Sequence, residues 1–590
     1  MRALLPGRFS GDQEPAEAHG ILRSLTKKTD GVMSGVRAAV VVLVVAIASL
    51  AQPAGVLRVA ADELNRNFAV LKAKAEPPPY FISYSIVDEE TYLISAQLGA
   101  LTANRHSQQR GLDVSVRVGS PKLDNYHQIG PEGGRMSVRA LLSIENNPGA
   151  LKHRIWLETD RAYRAARARL IQIQTNAQVK AASEDASGDF SSEQPVVYAE
   201  APPPLKFAVD QWAGRLRSLS SVFSQYPSIL SSSVTVVAQR QVKYLVNTDG
   251  SEIQHGRGYA RIVVAAQGKA EDGMDLATTA TFEAVQPDGL PDEKKVRASI
   301  EKVASGLTAL AKAPAAEPFV GPAILSGAAA GVFFHEIFGH RVEGHRQKDE
   351  SEGQTFTKSL GSPILPEFLS VTFDPTRKKS SGEDLNGWYL FDDEGVKSRP
   401  VPVVESGILK TFLLSRTPIK GFPVSNGHGR RQAGMEVVAR QSNLIVESRK
   451  MVSEARLRDL LIEEVKRQNK PYGLYFQQIT GGFTTTARRG LQAFKVIPLV
   501  VYRVYPDGRP DELIRGVDIV GTPLTSFAKI LATSDQSDVF NGYCGAESGS
   551  VPVSAVSPAL LISEIEVEKK PKSQDRPPFL PPPGPGADGS

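Results

Sequence analysis

Three of the nine histidines in this 590-residue chain lie in one short stretch, GVFFHEIFGHRVEGHRQKD, which runs from residue 331 to residue 349. His335 is followed directly by Glu336, and His340 comes five residues after His335. Imidazoles are common ligands of divalent transition metals, and a carboxylate beside them can take a proton from a water molecule. The pattern therefore indicates a catalytic metal held by His335 and His340, with Glu336 as general base and then general acid.

The spacing of these histidines differs from that of the H-E-x-x-H zinc helix, where the two ligands share one helix face. Five residues turn an ideal α-helix by about 500°, which leaves the two side chains roughly 140° apart and poorly placed to hold one ion. The helix must therefore deviate. Either a π-bulge brings the imidazoles together, or the helix ends at Gly339 and His340 returns from a turn. The glycine directly before His340 favours the second arrangement.

A catalytic zinc site needs a third protein ligand and an open position for water. Cys544 is the only cysteine of the chain, so no intrachain disulfide can form. A lone cysteine is often inert, but its thiolate is a soft ligand, and Cys544 lies in the glycine-rich stretch NGYCGAESGS, which we interpret as a loop. Cys544 is therefore a candidate third ligand for one Zn²⁺ per chain held by His335 and His340. Iron or another divalent ion stays open, as does a core histidine pair with Glu336 at the surface.

The composition is that of a globular protein, with 41% hydrophobic and 23% charged residues. A chain of 590 residues is too long for one ordinary core and should form at least two domains. The net charge of +5 arises from 69 basic and 64 acidic residues that are spread along the chain, which argues against nucleic acid as a partner. Phosphate-binding glycine motifs and a Ser-His-Asp set are not evident.

The N-terminal region carries a targeting signal. Arg37 precedes the apolar run AAVVVLVVAIASL, which covers residues 38–50 and is too short for a comfortable transmembrane helix. Its small-residue end fits cleavage after Ala51. Residues 1–51 are therefore predicted to be a signal-peptide region, with translation starting at Met33. We expect export to the periplasm or the extracellular space without stable membrane insertion, and an uncleaved N-terminal anchor is the alternative.

Two domains and a tail are predicted along the rest of the chain. Residues 60–313 form an N-terminal α+β domain, in which residues 234–246 and 259–266 pair as a hairpin and residues 292–312 form an amphipathic helix. A helix is expected at residues 159–179 and an exposed linker at residues 182–204.

The second domain, residues 314–568, begins with three closely spaced prolines that mark the boundary, and it carries the metal site on a short helix. A further helix is expected at residues 453–468 and a hairpin at residues 499–520. Residues 569–590 are a proline-rich tail with little to bury, so we expect them to be disordered. The fold class is α+β, with mostly antiparallel sheets and packed helices.

Several motifs occur in a fixed order. They are HEIFGH followed by VEG, FDDEGV at 391–396, ESGILK at 405–410, NGHGRR at 426–431 and CGAESGSVPVSAVSPALLISEIEV at 544–567. Together they resemble the TldD/PmbA family of metallopeptidases, from about residue 80 to residue 568. The resemblance implies a two-domain zinc peptidase whose ligands are His335, His340 and Cys544, with Glu336 as the catalytic carboxylate. It also implies an internal cavity where unfolded peptide pairs with a sheet edge, and a homodimer or a heterodimer with a metal-less homologue.

Two features depart from the family pattern. The family has an acidic residue where this chain has His345, and well-known members act in the cytoplasm, which leaves the substrate open. His345 could be a spare ligand, a substrate contact or a solvated surface residue, and the last is favoured.

Arg430 or Arg431 could bind a peptide carboxylate or lie in a solvated turn. The acidic run at residues 392–394 lacks the further ligands of a calcium loop and is interpreted as a turn between strands.

The sequence therefore predicts an exported zinc-dependent peptidase that hydrolyses flexible or unfolded peptides with metal-activated water and Glu336. A thiolate ligand donates more charge than imidazole, so the ion should be a mild Lewis acid and turnover should be slow. The alternative is a non-catalytic peptide-binding or assembly protein with a structural metal, in which His345 is the fourth ligand. The glutamate beside His335 favours the enzyme.

Overall fold

The computed structural model describes residues 55–128, 139–177, 185–488, 494–521, 526–571, 575–578 and 580. These residues belong to one compact unit. They form a mixed α+β fold with mostly antiparallel sheets, which confirms the predicted fold class. The predicted signal-peptide region and most of the predicted tail lie outside the described residues. Within the described part of the chain, no helix is long and apolar enough to span a membrane.

The first sheet has eight strands and is antiparallel except where β5 joins β7. Its strands are β1 Pro79–Gln97, β2 Ala100–Ser120, β3 Leu123–Asp124, β4 Ala140–Leu142, β5 Val197–Ala199, β6 Ser231–Asn247, β7 Glu252–Lys269 and β8 Asp275–Ala284. The strand order is β3-β2-β1-β6-β7-β5, with β4 beside β2 and β8 beside β7. The predicted hairpin of residues 234–246 and 259–266 is confirmed as β6 and β7.

Four helices pack against this sheet and bury its apolar side chains in two clusters. They are α1 Val56–Lys74, α2 Pro148–Ala177, α3 Val209–Ser220 and α4 Glu293–Lys312. The side chain of Asp292 accepts a hydrogen bond from the Lys295 N–H at 2.8 Å and so caps the start of α4. The prediction of α4 is confirmed, whereas α2 begins eleven residues before the expected residue 159.

The second sheet has twelve strands and contains the site. Its strands are β9 Phe319–Leu325, β10 Leu369–Phe373, β13 Val401–Glu405, β14 Ile408–Leu409, β17 Asn443–Ser448, β18 Met451–Val452, β19 Gly473–Thr484, β20 Phe494–Val504, β21 Glu512–Ile514, β22 Val517–Gly521, β23 Ile530–Ala546 and β24 Gly549–Lys569. Two small ribbons pair β11 Lys379–Ser380 with β12 Glu383–Asp384 and β15 Gly429–Arg430 with β16 Val438–Ala439. Because β9 pairs with both β19 and β24, part of this sheet closes on itself.

Among the described elements, the helices that accompany the second sheet include α5 Gly327–Ile337, α6 His345–Lys348 and α7 Glu454–Arg467. Helix α5 is buried and packs closely on β24, because a Cβ at Gly327 would lie 2.5 Å from the carbonyl oxygen of Ser557. The predicted helix at residues 453–468 and the hairpin at residues 499–520 are confirmed by α7 and by the pairing of β20 with β21. The boundary predicted at residue 313 stays a prediction.

The segment expected to be an exposed loop or linker, residues 182–204, is largely exposed or half-buried in its described part, but residues 189–191 are buried. Phe190 is buried between two guanidinium groups, 3.8 Å from Arg117 and 3.9 Å from Arg416, and β5 pairs with β7. One aromatic residue stacked between cations gives no apolar periodicity, so the pattern could not reveal it. The tail was predicted to begin at residue 569, yet Lys569 still pairs with Val517 at the end of β24.

Candidate metal centre

Helix α5 presents His335 and ends before His340. Its last backbone hydrogen bond is donated by the Phe338 N–H to the Phe334 carbonyl at 2.9 Å, and a 3₁₀ turn, Gly339–Val342, follows. The predicted turn is confirmed, although the helix ends at Ile337 rather than at Gly339. The site was expected on one short helix, and α5 carries His335 but not His340.

Gly339 is required because of side-chain packing, not because of the turn that its position before His340 suggests. A Cβ there would lie 1.9 Å from Oε1 of Gln441, whose Nε2 donates to the carbonyl of His335 at 3.2 Å. The glycine therefore makes room for a side chain that holds the end of α5. It does not supply a left-handed turn, since Gly339 has no positive φ.

The structure brings the three predicted ligands together. The ligand atoms of His335, His340 and Cys544 all lie within 4.8 Å of one another, and Nε2 of His340 is 3.3 Å from Sγ of Cys544. All three residues are buried. Two imidazoles and a thiolate at these separations are a donor set that suits zinc. Cys544 lies in strand β23, opposite Val551 of β24, so its expected position in a loop is wrong.

His340 and Cys544 favour opposite charges. Burial by itself lowers the pKa of His340, but Cys544 and Glu343 raise it well above its usual value. Burial raises the pKa of the Cys544 thiol, whereas His340 and His335 bring it well below its usual value. The thiolate form, which is the one that binds metals, is therefore the stable form in this pocket.

Glu336 lies beside the three ligands and is 8% exposed. Burial raises the pKa of its carboxyl group, and His335 and His340 oppose that change. Strand β19 passes against it with a glycine, because a Cβ at Gly482 would lie 2.8 Å from Cγ of Glu336. A glycine inside a strand often marks such a close approach. The carboxylate is therefore enclosed and placed to exchange a proton with a group at the ligand cluster.

His345 is not the solvated residue that was expected. Its Nε2 forms an ion pair with Glu547, and its side chain is only 10% exposed. Glu343, His345 and Glu547 also lie close enough to form a second group of ligand atoms, but Arg346 bonds both carboxylates, at 2.9 and 2.7 Å. This group is therefore an ion-pair network beside the metal centre.

Neither arginine of NGHGRR lies in a solvated turn. Arg430 is 5% exposed, donates to the carbonyl of Gln441 and stacks over Tyr389. Arg431 donates to the carbonyl of Met435 at 3.0 Å, and its side chain is 6% exposed. The guanidinium of Arg430 is thus occupied within the fold. The Arg430 carboxylate hypothesis gains no support from this arrangement.

The acidic run at residues 392–394 forms the predicted turn. The Asp392 N–H donates to the Val396 carbonyl at 2.9 Å. Asp393 forms an ion pair with Lys243 at 2.6 Å, which joins this turn to strand β6 of the first sheet. The carboxylate of Asp393 therefore takes part in a contact within the protein.

Sequence reasoning missed Glu343 and Arg440 as parts of the centre. Glu343 is fully buried, and its Oε2 lies 3.2 Å from Nδ1 of His340. Arg440 is also fully buried and donates to Sγ of Cys544 at 3.2 Å. The position of Arg440 inside the largely apolar stretch VVARQSNLIV was the one available sign. A charged residue there must find a buried partner.

A cavity of about 1450 Å³ lies beside this network. Its lining includes Phe81 and Ser115 of the first sheet as well as His345, Lys348 and Glu352, so both halves of the fold contribute. The lining mixes polar, charged and apolar groups. Such a space can accept an extended chain with varied side chains.

Comparisons with known proteins agree on one kind of relative. Residues 320–569 match the model of the PmbA/TldA metallopeptidase C-terminal domain. The chain is 28% identical over 231 residues to a metalloprotease of Methanocaldococcus jannaschii, which covers 39% of this chain and 47% of the relative. It is 28% identical over 354 residues to a metalloprotease TldD homolog of Haemophilus influenzae, covering 59% and 66%. The alignments thus span about half to two thirds of these relatives.

The fold also has a solved counterpart. The crystal structure of TldE from Thermococcus kodakarensis matches with a TM-score of 0.56 over 85% of this chain and 99% of that one. The sequence identity is 14%, so this likeness concerns the fold alone.

Proposed function

We propose that this protein, which carries a PmbA/TldA metallopeptidase C-terminal domain over residues 320–569, is a zinc-dependent peptidase. The resemblance to the TldD/PmbA family read from the motifs is confirmed by that match and by relatives named as metalloproteases. One observation carries the proposal. The ligand atoms of two imidazoles from the α5 region and of a thiolate 204 residues further along come together, and the buried carboxylate of Glu336 interacts electrostatically with all three.

The residues of the centre have two separate roles, metal binding and proton transfer. His335, His340 and Cys544 would hold one Zn²⁺, which supplies Lewis acidity toward a carbonyl and activation of water. Glu336 accepts a proton at its carboxylate and delivers it to the leaving amine. Burial helps in this second role, because a raised pKa lets Glu336 keep the proton until the amine needs it.

The substrate we propose is a flexible or unfolded peptide in extended form. Strand β19 pairs with β9 only at residues 474–476, and its residues 478–484 pair with β20 alone among the described strands. At Gly482 the face of this same stretch lies against the side chain of Glu336. A peptide added at the free edge would be gripped through its main chain, with little dependence on side chains. The family pattern supports a homodimer or a heterodimer with a metal-less homologue, and the N-terminal apolar run supports export.

Replacement of Glu336 tests the reaction directly. Glu336→Gln should retain about one metal per chain and lose peptide hydrolysis by at least about 100-fold, since general acid–base catalysis contributes 10²–10⁴-fold. Metal content is measured by mass spectrometry and hydrolysis with a quenched fluorescent, unstructured peptide. Glu301→Gln, an exposed position on α4, is the matched control and should match wild type in both readouts.

Two outcomes would count against the proposal. Near-wild-type hydrolysis by Glu336→Gln would remove this residue from the mechanism. A wild-type protein that binds its metal fully but cleaves no peptide would instead favour the peptide-binding or assembly protein with a structural metal.

A further inference from the structure

Arg440 is a buried cation whose side-chain hydrogen bonds and ion pair, among the described residues, are with the metal centre or the hairpin that carries it. It lies between β16 and β17, and its side chain is fully enclosed. An isolated guanidinium in a protein interior is strongly disfavoured unless opposite charges and acceptors surround it. Arg440 therefore needs buried hydrogen-bond acceptors and an opposite charge, and its role can be inferred from the groups that supply them.

The Nη1 and Nη2 groups of Arg440 donate hydrogen bonds to both strands of the β23–β24 hairpin. Nη2 of Arg440 donates to the carbonyl of Cys544 at 2.7 Å and to its Sγ at 3.2 Å. Nη1 donates to Oγ of Ser548 at 2.7 Å and to the carbonyl of Gly549 at 3.0 Å. These bonds fix both the backbone and the sulfur of Cys544.

The other edge faces the histidine side of the centre. Nε of Arg440 lies 3.3 Å from Oε1 of Glu343, an ion-pair contact without hydrogen-bond geometry. Oε2 of Glu343 lies 3.2 Å from Nδ1 of His340. One path of contacts thus runs from the sulfur through Arg440 and Glu343 to the imidazole. It joins the two ligands from opposite ends of the C-terminal region.

The shape of the guanidinium suits this task. Its planar fork presents donors in fixed directions, so one side chain can serve a sulfur, two carbonyls and a carboxylate together. A lysine ammonium at the same position would keep the charge but could not reach all of these groups. An N–H directed at a thiolate also withdraws electron density from the sulfur, which makes a metal bound to it a stronger Lewis acid.

We propose that Arg440 is a positioning residue of the metal centre, which holds the Cys544 thiolate and, through Glu343, His340 in place and tunes the charge that the sulfur gives to the metal. This inference rests on the proposed metal centre. It assigns to Arg440 both ligand placement and the Lewis acidity of the site. Residues that support ligands in this way typically change metal affinity by 10–100-fold when replaced.

The test uses Co²⁺ as a spectroscopic probe of the full-length protein. Arg440→Met removes every donor at similar volume, and Arg440→Lys keeps the charge in case the first variant does not fold. Arg416→Met is the matched control. Arg416 is also a buried arginine, but its side chain bonds the carbonyl of Ser191 and the carboxylate of Asp249 rather than any of the three ligands. Co²⁺ affinity and the energy of the sulfur-to-cobalt charge-transfer band are measured, with circular dichroism as the check of folding.

Loss of the N–H···S bond should move the charge-transfer band of Arg440→Met to lower energy, and Arg440→Lys, which retains N–H donors, should move it less. Co²⁺ affinity should fall about 10–100-fold in Arg440→Met and less in Arg440→Lys. The Arg416 control should keep the wild-type band and affinity. Folded Arg440 variants with a wild-type band and affinity would overturn the proposal, as would an equal loss in the Arg416 control. Absence of Co²⁺ binding in the wild type would overturn the metal centre itself, and this inference with it.

Discussion

His428 is a fully buried histidine close to the centre that must stay neutral for the fold to hold. Its Nε2 lies 3.0 Å from Oγ of Ser442 and its Nδ1 3.2 Å from Oδ1 of Asn426. Burial first, and then the positive charge of Arg430, lower its pKa to about 3. No carboxylate is among its hydrogen-bond partners in the described structure. Protonation of this ring would therefore place an uncompensated charge in the core.

This histidine predicts loss of stability in acid. The unfolded chain binds a proton at His428 below about pH 6.5, whereas the folded chain does so only near pH 3. The free energy of unfolding should therefore fall by about 1.4 kcal/mol per pH unit from this group between those values. Urea unfolding of wild type and His428→Gln at pH 7.0 and pH 5.0 measures it. The variant starts less stable but should lose less on acidification, and equal losses in both proteins would contradict the assignment.

The site residues differ in how far their roles could be predicted from sequence. His335, Glu336 and His340 lie within six residues, so residue type and spacing were enough to propose them as a group. Cys544 was proposed as a ligand because it is the only cysteine of the chain and so the only residue that can supply a thiolate. The roles of Glu343 and Arg440 depend on contacts across about a hundred residues, which spacing along the chain cannot show. His345 was expected in solvent because its carboxylate partner lies 202 residues away.

Helix α5 and the sheet beneath it fix where His335 lies. A Cβ at Gly327 would meet the backbone of Ser557 at 2.5 Å and the backbone nitrogen of Asp538 at 2.9 Å. Neither backbone atom can move away without disturbing β23 and β24. The short distance between helix and sheet is thus part of the geometry that brings α5 to the hairpin of Cys544.

A pair of glycine substitutions separates packing from helix propensity. Gly327→Ala should destabilise the protein by about 1–3 kcal/mol, since overpacking against backbone forces a shift. Gly306→Ala, in α4, should stabilise it by up to about 1 kcal/mol, because its new Cβ would meet nothing within 4 Å. Urea unfolding midpoints of both variants measure the difference. Equal shifts in the same direction would show that the contact with β24 does not limit the helix.

Helices, strands and turns that are marked by a pattern in their own residues were predicted from the sequence, and those without such a pattern were missed. The hairpin of residues 234–246 and 259–266 and the amphipathic pattern of α4 have local signals, and both predictions were confirmed. Cys544 was expected in a loop because its neighbours are glycines and small polar residues. The long pairing of β23 with β24 instead extends the strand through it to Ala546. Tertiary pairing thus outweighed the low strand propensity of these residues.

The whole molecule places the metal centre where distant parts of the chain meet. The first sheet joins the second half through Lys243 with Asp393 and through Arg416 with Asp249. The centre itself joins α5 to the last hairpin of the second sheet. Because His340 and Cys544 favour opposite charges, the fold should persist without the metal, while metal binding adds stability.

Metal removal and one substitution test this arrangement together. Wild type should contain about one zinc per chain, and Cys544→Ser should lose it or bind it much more weakly, because one of three ligands is gone. Zinc at 100 times its Kd should raise the free energy of unfolding by about 2.7 kcal/mol in wild type, since it binds only the folded state. Chelator-treated wild type should stay folded, recover on zinc addition and melt at a lower temperature than the zinc form. Equal zinc content in wild type and Cys544→Ser would remove the thiolate from the ligand set and leave His335 and His340 to be completed by another residue.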